Sequence, residues 1–278
     1  MRLLVCSLED IASVNIRDRL TESSDWREQG VFENEPALVH GDNVLVTTGE
    51  RHLFADDIDL RVRQATGQEI ECVVFLSRHK AASGIPTLTV HPIGNFAQKA
   101  EFGGRPGTLV PSAPDLMTSL LRSMQGHAQG LGYQISFEVT HHGPFLRSPT
   151  LYLEIGSSEG QWPDVKAGQA LARSLLEVDV LKATKVIGLG GGHYAPRFSE
   201  LALKKKVSIG HMITNHFADH ATDDDLVLAI KRALEASEHA DLVYIHKKSV
   251  SRSRATHLKS LVRQSGAEAI DSSDLEDL

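Results

Sequence analysis

Cysteine is scarce in this chain, and the two present, Cys6 and Cys72, both lie inside apolar runs. Thiols so placed read as buried and inert, which excludes a disulfide framework and a thiolate metal centre. Long hydrophobic stretches are missing too, since no apolar run approaches the roughly 20 residues needed to cross a bilayer. The opening segment Met1–Cys6 is too short for a secretory signal and meets acid by Glu9. A cytoplasmic protein without membrane contact is expected. Net positive charge is also lacking. A formal charge of −7 excludes nucleic-acid binding driven by overall charge, while leaving room for a local basic face. With no repeat, low-complexity tract or heptad seam, a monomer is the default expectation.

Histidine, by contrast, is plentiful at 14 residues. Several fall in Gly- and Pro-punctuated loops directly after apolar runs. These are Ser77-Arg78-His79, Thr140-His141-His142-Gly143-Pro144, Gly190-Gly191-Gly192-His193-Tyr194 and Gly210-His211. In a protein of alternating strands and helices, strand ends converge on one sheet edge, where ligand crevices form. Imidazoles gathered there move protons near neutral pH or bind metal.

Strand-like runs occur at 2–6, 71–75, 133–140, 150–155, 185–189, 207–213 and 242–245, and helical periodicity fills 11–20, 115–129, 166–177 and 225–237. Ser7 or Asp10 is placed to cap the first helix, and Thr222 or Asp223 the last. The pattern predicts a single α/β catalytic domain over 1–278, with a mixed, largely parallel twisted sheet flanked by helices. Segments 133–140 and 150–155 read as an antiparallel pair. Two irregular insertions are expected, near 21–54 (with one short strand at 43–48) and near 98–114.

Several residues are candidates for chemistry. Adjacent side chains on a strand point to opposite faces, so one of His141 and His142 is expected in a given pocket. Glu154, an acid among apolar residues, needs a partner, and orienting a histidine would supply one. The glycines Gly190, Gly191 and Gly192 could offer amides to an anion or developing oxyanion, but their spacing is not that of a dinucleotide fingerprint. His216 and His220 read as surface histidines. A basic run from His246 to Arg263 contains Lys247 and Lys248 and no acid; it is either a solvated helix face or an RNA-facing surface.

Together these motifs resemble the archaeal and plant-type D-aminoacyl-tRNA deacylase family. The resemblance is carried in order by Cys6-Ser7, Ala12–Ile16, Phe75–His79, Ser83–Thr89, His141–Pro144, Glu154–Ser158, Trp162 with Ala167-Gly168, Gly190–Phe198 and Gly210-His211. It implies a phosphorylase/hydrolase-like fold related to peptidyl-tRNA hydrolase. It also implies hydrolysis of the ester joining a D-amino acid to tRNA, with zinc as an associated metal.

Ester hydrolysis requires a positioned water, a proton acceptor and oxyanion stabilisation. The general base is expected to be His142 or His141, oriented by Glu154 and partnered by His193, with the Gly190–Gly192 amides holding the oxyanion. Ser77, Arg78 and His79 would contact the terminal phosphate or ribose, and Lys247 and Lys248 the RNA. Zinc held by a subset of His79, His141, His142, His193 and His211 is a second route to the same reaction, and assistance from the vicinal ribose hydroxyl a third. A tRNA- or nucleotide-binding protein without catalysis, or another hydrolase or phosphorylase on the same fold, are the competing functions.

Overall fold

The apolar runs become strands and the periodic stretches become helices. The computed structural model describes residues 1–278. In it, β1 (Arg2–Ser7) and α1 (Ile11–Ser23) lead into β2 (Arg27–Phe32), β3 (Glu35–His40) and β4 (Asn43–Thr48), then α2 (Ile58–Thr66) and β5 (Cys72–Arg78). Next come β6 (Thr87–Pro92), α3 (Pro114–His127), β7 (Gln134–Phe137), β8 (Thr150–Gly156) and α4 (Val165–Leu176). The last third supplies β9 (Thr184–Leu189), α5 (Pro196–Lys204), β10 (Val207–Ile213), α6 (Asn215–His220), α7 (Asp223–Glu235), β11 (Leu242–Ile245), α8 (Arg252–Gln264) and β12 (Glu268–Ile270).

The expected mixed, largely parallel α/β architecture forms, but as two sheets. Eight strands run in the order β2-β3-β4-β1-β5-β8-β6-β7, and four in the order β10-β9-β11-β12. The smaller sheet is wholly parallel. In the larger one β4, β1, β5 and β8 are parallel, and β6 runs against β8.

Two local expectations need correction. Segment 21–54 is not irregular: β2, β3 and β4 form an antiparallel meander. β2 lies at the sheet edge with five of its six residues exposed, so it has little apolar pattern to reveal it. Segments 133–140 and 150–155 do not pair either. β6 lies between them, antiparallel to β8 and parallel to β7. It is buried along its whole length, yet Thr87, Thr89 and His91 deprive it of an apolar run.

Period-two alternation sorts the large sheet's side chains. Leu4, Val74, Leu76, Leu151 and Leu153 join the cluster containing α1, α3 and α4 residues, whereas Leu3, Val5, Val73, Phe75 and Tyr152 join the one containing Ile58 and Val62 of α2. Each such burial contributes about 1.5–3 kcal/mol. Ala12, Ile16 and Leu20 form the buried stripe of α1, and Asp10 caps that helix by accepting from Ser13 N. Thr222 caps α7 in the same way. Cys6 and Cys72 are free; burial pushes their thiols up to about 11 and about 12, which keeps them inert.

The first cluster crosses from one sheet to the other, with Val186, Ile209 and Met212 beside Leu4 and Leu151. Polar ties reinforce the seam. Arg122 of α3 donates to the carbonyls of Ala202, Lys205 and Val207. Asp115 accepts from Ser208 Oγ at 2.5 Å and from Lys185 Nζ at 3.1 Å. No helix is long and apolar enough to cross a membrane.

Candidate active site

The ends of β5 and β8 share an edge, with Ser77 beside Glu154 in register. Antiparallel β6 sets His91 beside Tyr152. Beyond β7 the chain crosses the seam: Val139 N donates to His193 O at 3.0 Å and Thr140 N to Met212 O at 3.1 Å. That crossing brings Glu138, His141 and His142 over the large sheet and His193 in from the small one. The resulting cavity, about 380 Å³, is lined by His79, His141, His142, Glu154 and His193 together with Ser77, Arg78 and Tyr152.

Two carboxylates sit among the imidazoles. Glu138, with no exposed side-chain surface, places Oε2 2.9 Å from His193 Nε2, 3.2 Å from His79 Nδ1 and 3.7 Å from His141 Nε2. Glu154 Oε2 is 3.5 Å from His79 Nδ1 and 3.6 Å from His91 Nε2. Burial alone would raise both acids. The imidazoles outweigh it, holding Glu138 below and Glu154 well below the usual carboxylate range. Burial would likewise lower His79 and His91, but the facing carboxylates raise both. His141 and His142 titrate low, first through burial and then through the neighbouring His91, with His142 at about 3.

Three histidines share a hydrogen-bonding pattern. Nδ1 of His91, His141 and His142 each meets a backbone carbonyl, of Pro92, Val139 and Gly143 respectively, at 3.1, 2.7 and 2.6 Å. A carbonyl only accepts, so each Nδ1 carries the proton and each Nε2 is left as the free ring position. The ligand atoms of these three lie within 4.8 Å of one another, as do those of His79, Glu138 and His193. His91 Nε2, His79 Nε2 and both carboxylate oxygens of Glu138 are buried without a hydrogen-bond partner. Donors of this kind suit a metal ion.

The structure gathers most of the sequence candidates and separates a few. Both His141 and His142 line the cavity, against the expectation of one. His142 adopts φ +44°, which breaks strand alternation and brings the two rings to 4.4 Å. Glu154 faces His79 and His91 rather than His141 or His142. His211 stands apart: Nε2 contacts Val110 O at 2.9 Å and Nδ1 meets Thr140 Oγ1 at 3.0 Å. With both nitrogens satisfied, it has none to offer a metal. Gly190, Gly191 and Gly192 do not line the cavity, and the Gly190 amide is spent on Ile213 O at 2.8 Å. Lys247 is paired with Asp271, and Lys248 lines a separate cleft beside Arg197 and Tyr244.

Sequence reasoning passed over Glu138 and gave His91 no catalytic or metal role. Glu138 had a signal, a lone acid between Phe137 and Val139, the same pattern that marked Glu154.

The family model for D-aminoacyl-tRNA deacylase matches residues 66–270, a stretch that contains His79, His91, Glu138, His141, His142, Glu154 and His193. The chain belongs to this family. It is similar to the D-aminoacyl-tRNA deacylase of Methanococcoides burtonii, 37% identical across 99% of this chain and 57% of the relative. The deacylase of Thermoplasma acidophilum is 38% identical across 84% of this chain and 86% of the relative. That of Methanosarcina acetivorans is 34% identical across 99% and 93%. This chain therefore spans little more than half of the first relative and most of the other two. Among solved structures, the conserved protein of unknown function AF0625 superposes with a TM-score of 0.87 at 31% identity, covering 99% of this chain and 96% of that one. The overall fold is thus shared with that protein.

Proposed function

We propose that this chain hydrolyses the ester of D-aminoacyl-tRNA in the histidine cavity, and that its two sheets act there as one catalytic unit. The observation that carries the reading is Glu138, a fully buried carboxylate 2.9 Å from the half-exposed ring of His193. A buried acid facing an accessible imidazole is a proton-handling pair. With its Nε2 turned to Glu138, His193 would keep Nδ1 to take a proton from the attacking water. Glu138 stabilises the imidazolium so formed, and His193 then returns the proton to the departing ribose oxygen. His79, between the two carboxylates, holds the negative charges in place. Ser77 and Arg78, on the cavity wall, are set to contact the ribose end of the substrate.

Zinc fits the donor set. His91, His141 and His142, with Nε2 free and close together, would hold it, as would His79, Glu138 and His193. Bound there, zinc would acidify water and offset charge on the carbonyl oxygen.

Assay of D-aminoacyl-tRNA deacylation tests the reading. His193→Ala and Glu138→Gln should each lower kcat by roughly 10²-fold or more, in line with general acid–base contributions of about 10²–10⁴. Near-parental turnover in both variants would remove the pair from the mechanism.

A further inference from the structure

Phe102 is the most exposed large apolar side chain of the protein, at 64%, yet it lines the mouth of the histidine cavity. It does not hang from a slack loop. Gly143 N donates to Phe102 O at 3.0 Å, and Asn95 Nδ2 donates to the Gly103 carbonyl at 3.0 Å. Gly103, at φ +78°, lies so close to Leu53 that any Cβ would strike its carbonyl, and a Cβ on Gly143 would strike Gly103 and Gly104. Backbone this tightly clamped has been given an aromatic ring to hold out in water. Leaving a phenyl exposed forfeits about 1.5–3 kcal/mol of burial, which points to a ligand that covers it.

Charge at the same mouth indicates which ligand. Arg51, Arg78 and Lys80 line the cavity alongside Phe102. Arg51 lies over the Phe54 ring and Arg78 over the Trp162 ring, so neither guanidinium is spent on a carboxylate. Asp10, the buried acid among them, is already occupied by the Arg78 and Ser13 amides, and Glu9 is exposed at the rim. For a protein of net charge −7, three cations around one opening form a local field for phosphate. An exposed aromatic beside a cationic groove is how proteins hold single-stranded nucleic acid ends.

We propose that Phe102 is the stacking platform for the nucleobase at the acylated end of tRNA, with Arg51 and Lys80 taking the adjoining phosphates. This rests on the deacylase reading and adds a subsite to it. With the ester carbonyl held at His193, the amino acid lies inward. The base of the esterified nucleoside would then face the part of the cavity wall that Phe102 forms.

The test compares AMP and ribose 5-phosphate as inhibitors of D-aminoacyl-tRNA deacylation, in the parent protein and in Phe102→Ala and Phe102→Trp. AMP should inhibit the parent more strongly than ribose 5-phosphate. Phe102→Ala should abolish that preference, weakening AMP by roughly 5- to 150-fold, the range for loss of one base–aromatic stack, and should raise KM rather than lower kcat. Phe102→Trp should restore the preference. In Arg51→Gln and Lys80→Gln, the dependence of KM on salt should become shallower. Equal inhibition by the two compounds in the parent, or an AMP preference that survives Phe102→Ala, would overturn the platform while leaving the deacylase reading intact. A parent protein that releases no amino acid would overturn both.

Discussion

His142 and His211 show how one residue type takes two roles. His142 is a non-glycine residue in left-handed backbone, a conformation that costs of order 1–3 kcal/mol and is kept where surrounding structure enforces it. That cost aims a neutral ring into the cavity. His211 is fully buried and bonded at both nitrogens, and burial lowers its pKa to about 4. It is therefore neutral in the folded state while its unfolded counterpart still binds a proton below about 6.5. The unfolded state then holds more protons between about 6.5 and 4, so the His211 contribution to stability falls as pH drops through that window and levels off below it. His211→Gln should flatten the acid dependence of stability, by at most about 1.4 kcal/mol per pH unit, in urea unfolding midpoints measured from pH 7 to pH 4.5. A slope identical to the parent's would mean that the buried ring does not resist protonation. At this scale the sequence revealed much of the pocket, because His79, His141, His142 and His193 emerge near strand ends, whereas His211 stays inside β10. It did not show which ring nitrogens are free, since the carbonyls of Pro92, Val139 and Gly143 decide that. Nor did it show that the Gly190 amide would be consumed by Ile213.

At the scale of elements, Asp10 does two things at once. One oxygen caps α1 through Ser13 N at 3.1 Å, and the other accepts from Arg78 N at 2.9 Å, where β5 ends at the cavity. Asp10→Ala should cost about 0.5–2 kcal/mol from the lost cap, seen as a lower Tm, and should raise KM because the Arg78 backbone loses its anchor. Asp10→Asn, which keeps an acceptor oxygen, should recover most of the Tm. The free imidazole nitrogens lie on β6 and on the segment after β7, so a bound metal would staple the two. Dialysis against a chelator should lower activity and Tm together, and added zinc should restore both; a dialysed protein with unchanged Tm and turnover would exclude a metal from this site. Strands and helices with a clear period were legible in the sequence, and the cap of α1 was narrowed to Ser7 or Asp10. The meander β2–β3 and the strand β6 were not. An exposed edge strand needs no apolar face, and a strand lined with Thr and His carries no apolar run.

At the scale of the whole molecule, a mixed and largely parallel α/β fold was legible, but its division into two sheets was not. Pattern reveals which residues are buried, not which sheet they are buried against; Val186 and Leu151 look alike until both are found in one cluster. Because that cluster spans the seam, and Arg122 and Asp115 bridge it, the two sheets should melt together. Trp26 and Trp162 sit with the larger sheet, so their fluorescence should share a midpoint with far-UV circular dichroism, which reports on both sheets. A separate, earlier loss of dichroism would show the four-stranded sheet unfolding alone. Arg122→Met, which removes three bonds to carbonyls across the seam, should lower the common midpoint.

The crossing after β7 has an implication for shortened versions of the protein. A fragment ending near residue 180 would retain all eight strands of the larger sheet, yet Glu138 would lose its nearest counter-group and the cover provided by the Gly192–Tyr194 turn. Wetted and without His193, that acid would revert toward an ordinary surface carboxylate, and the remnant, its core cluster cut at the seam, would lose stability along with its proton chemistry. Supplying residues 181–278 as a separate chain should bring the reaction back only to the extent that the two pieces rejoin.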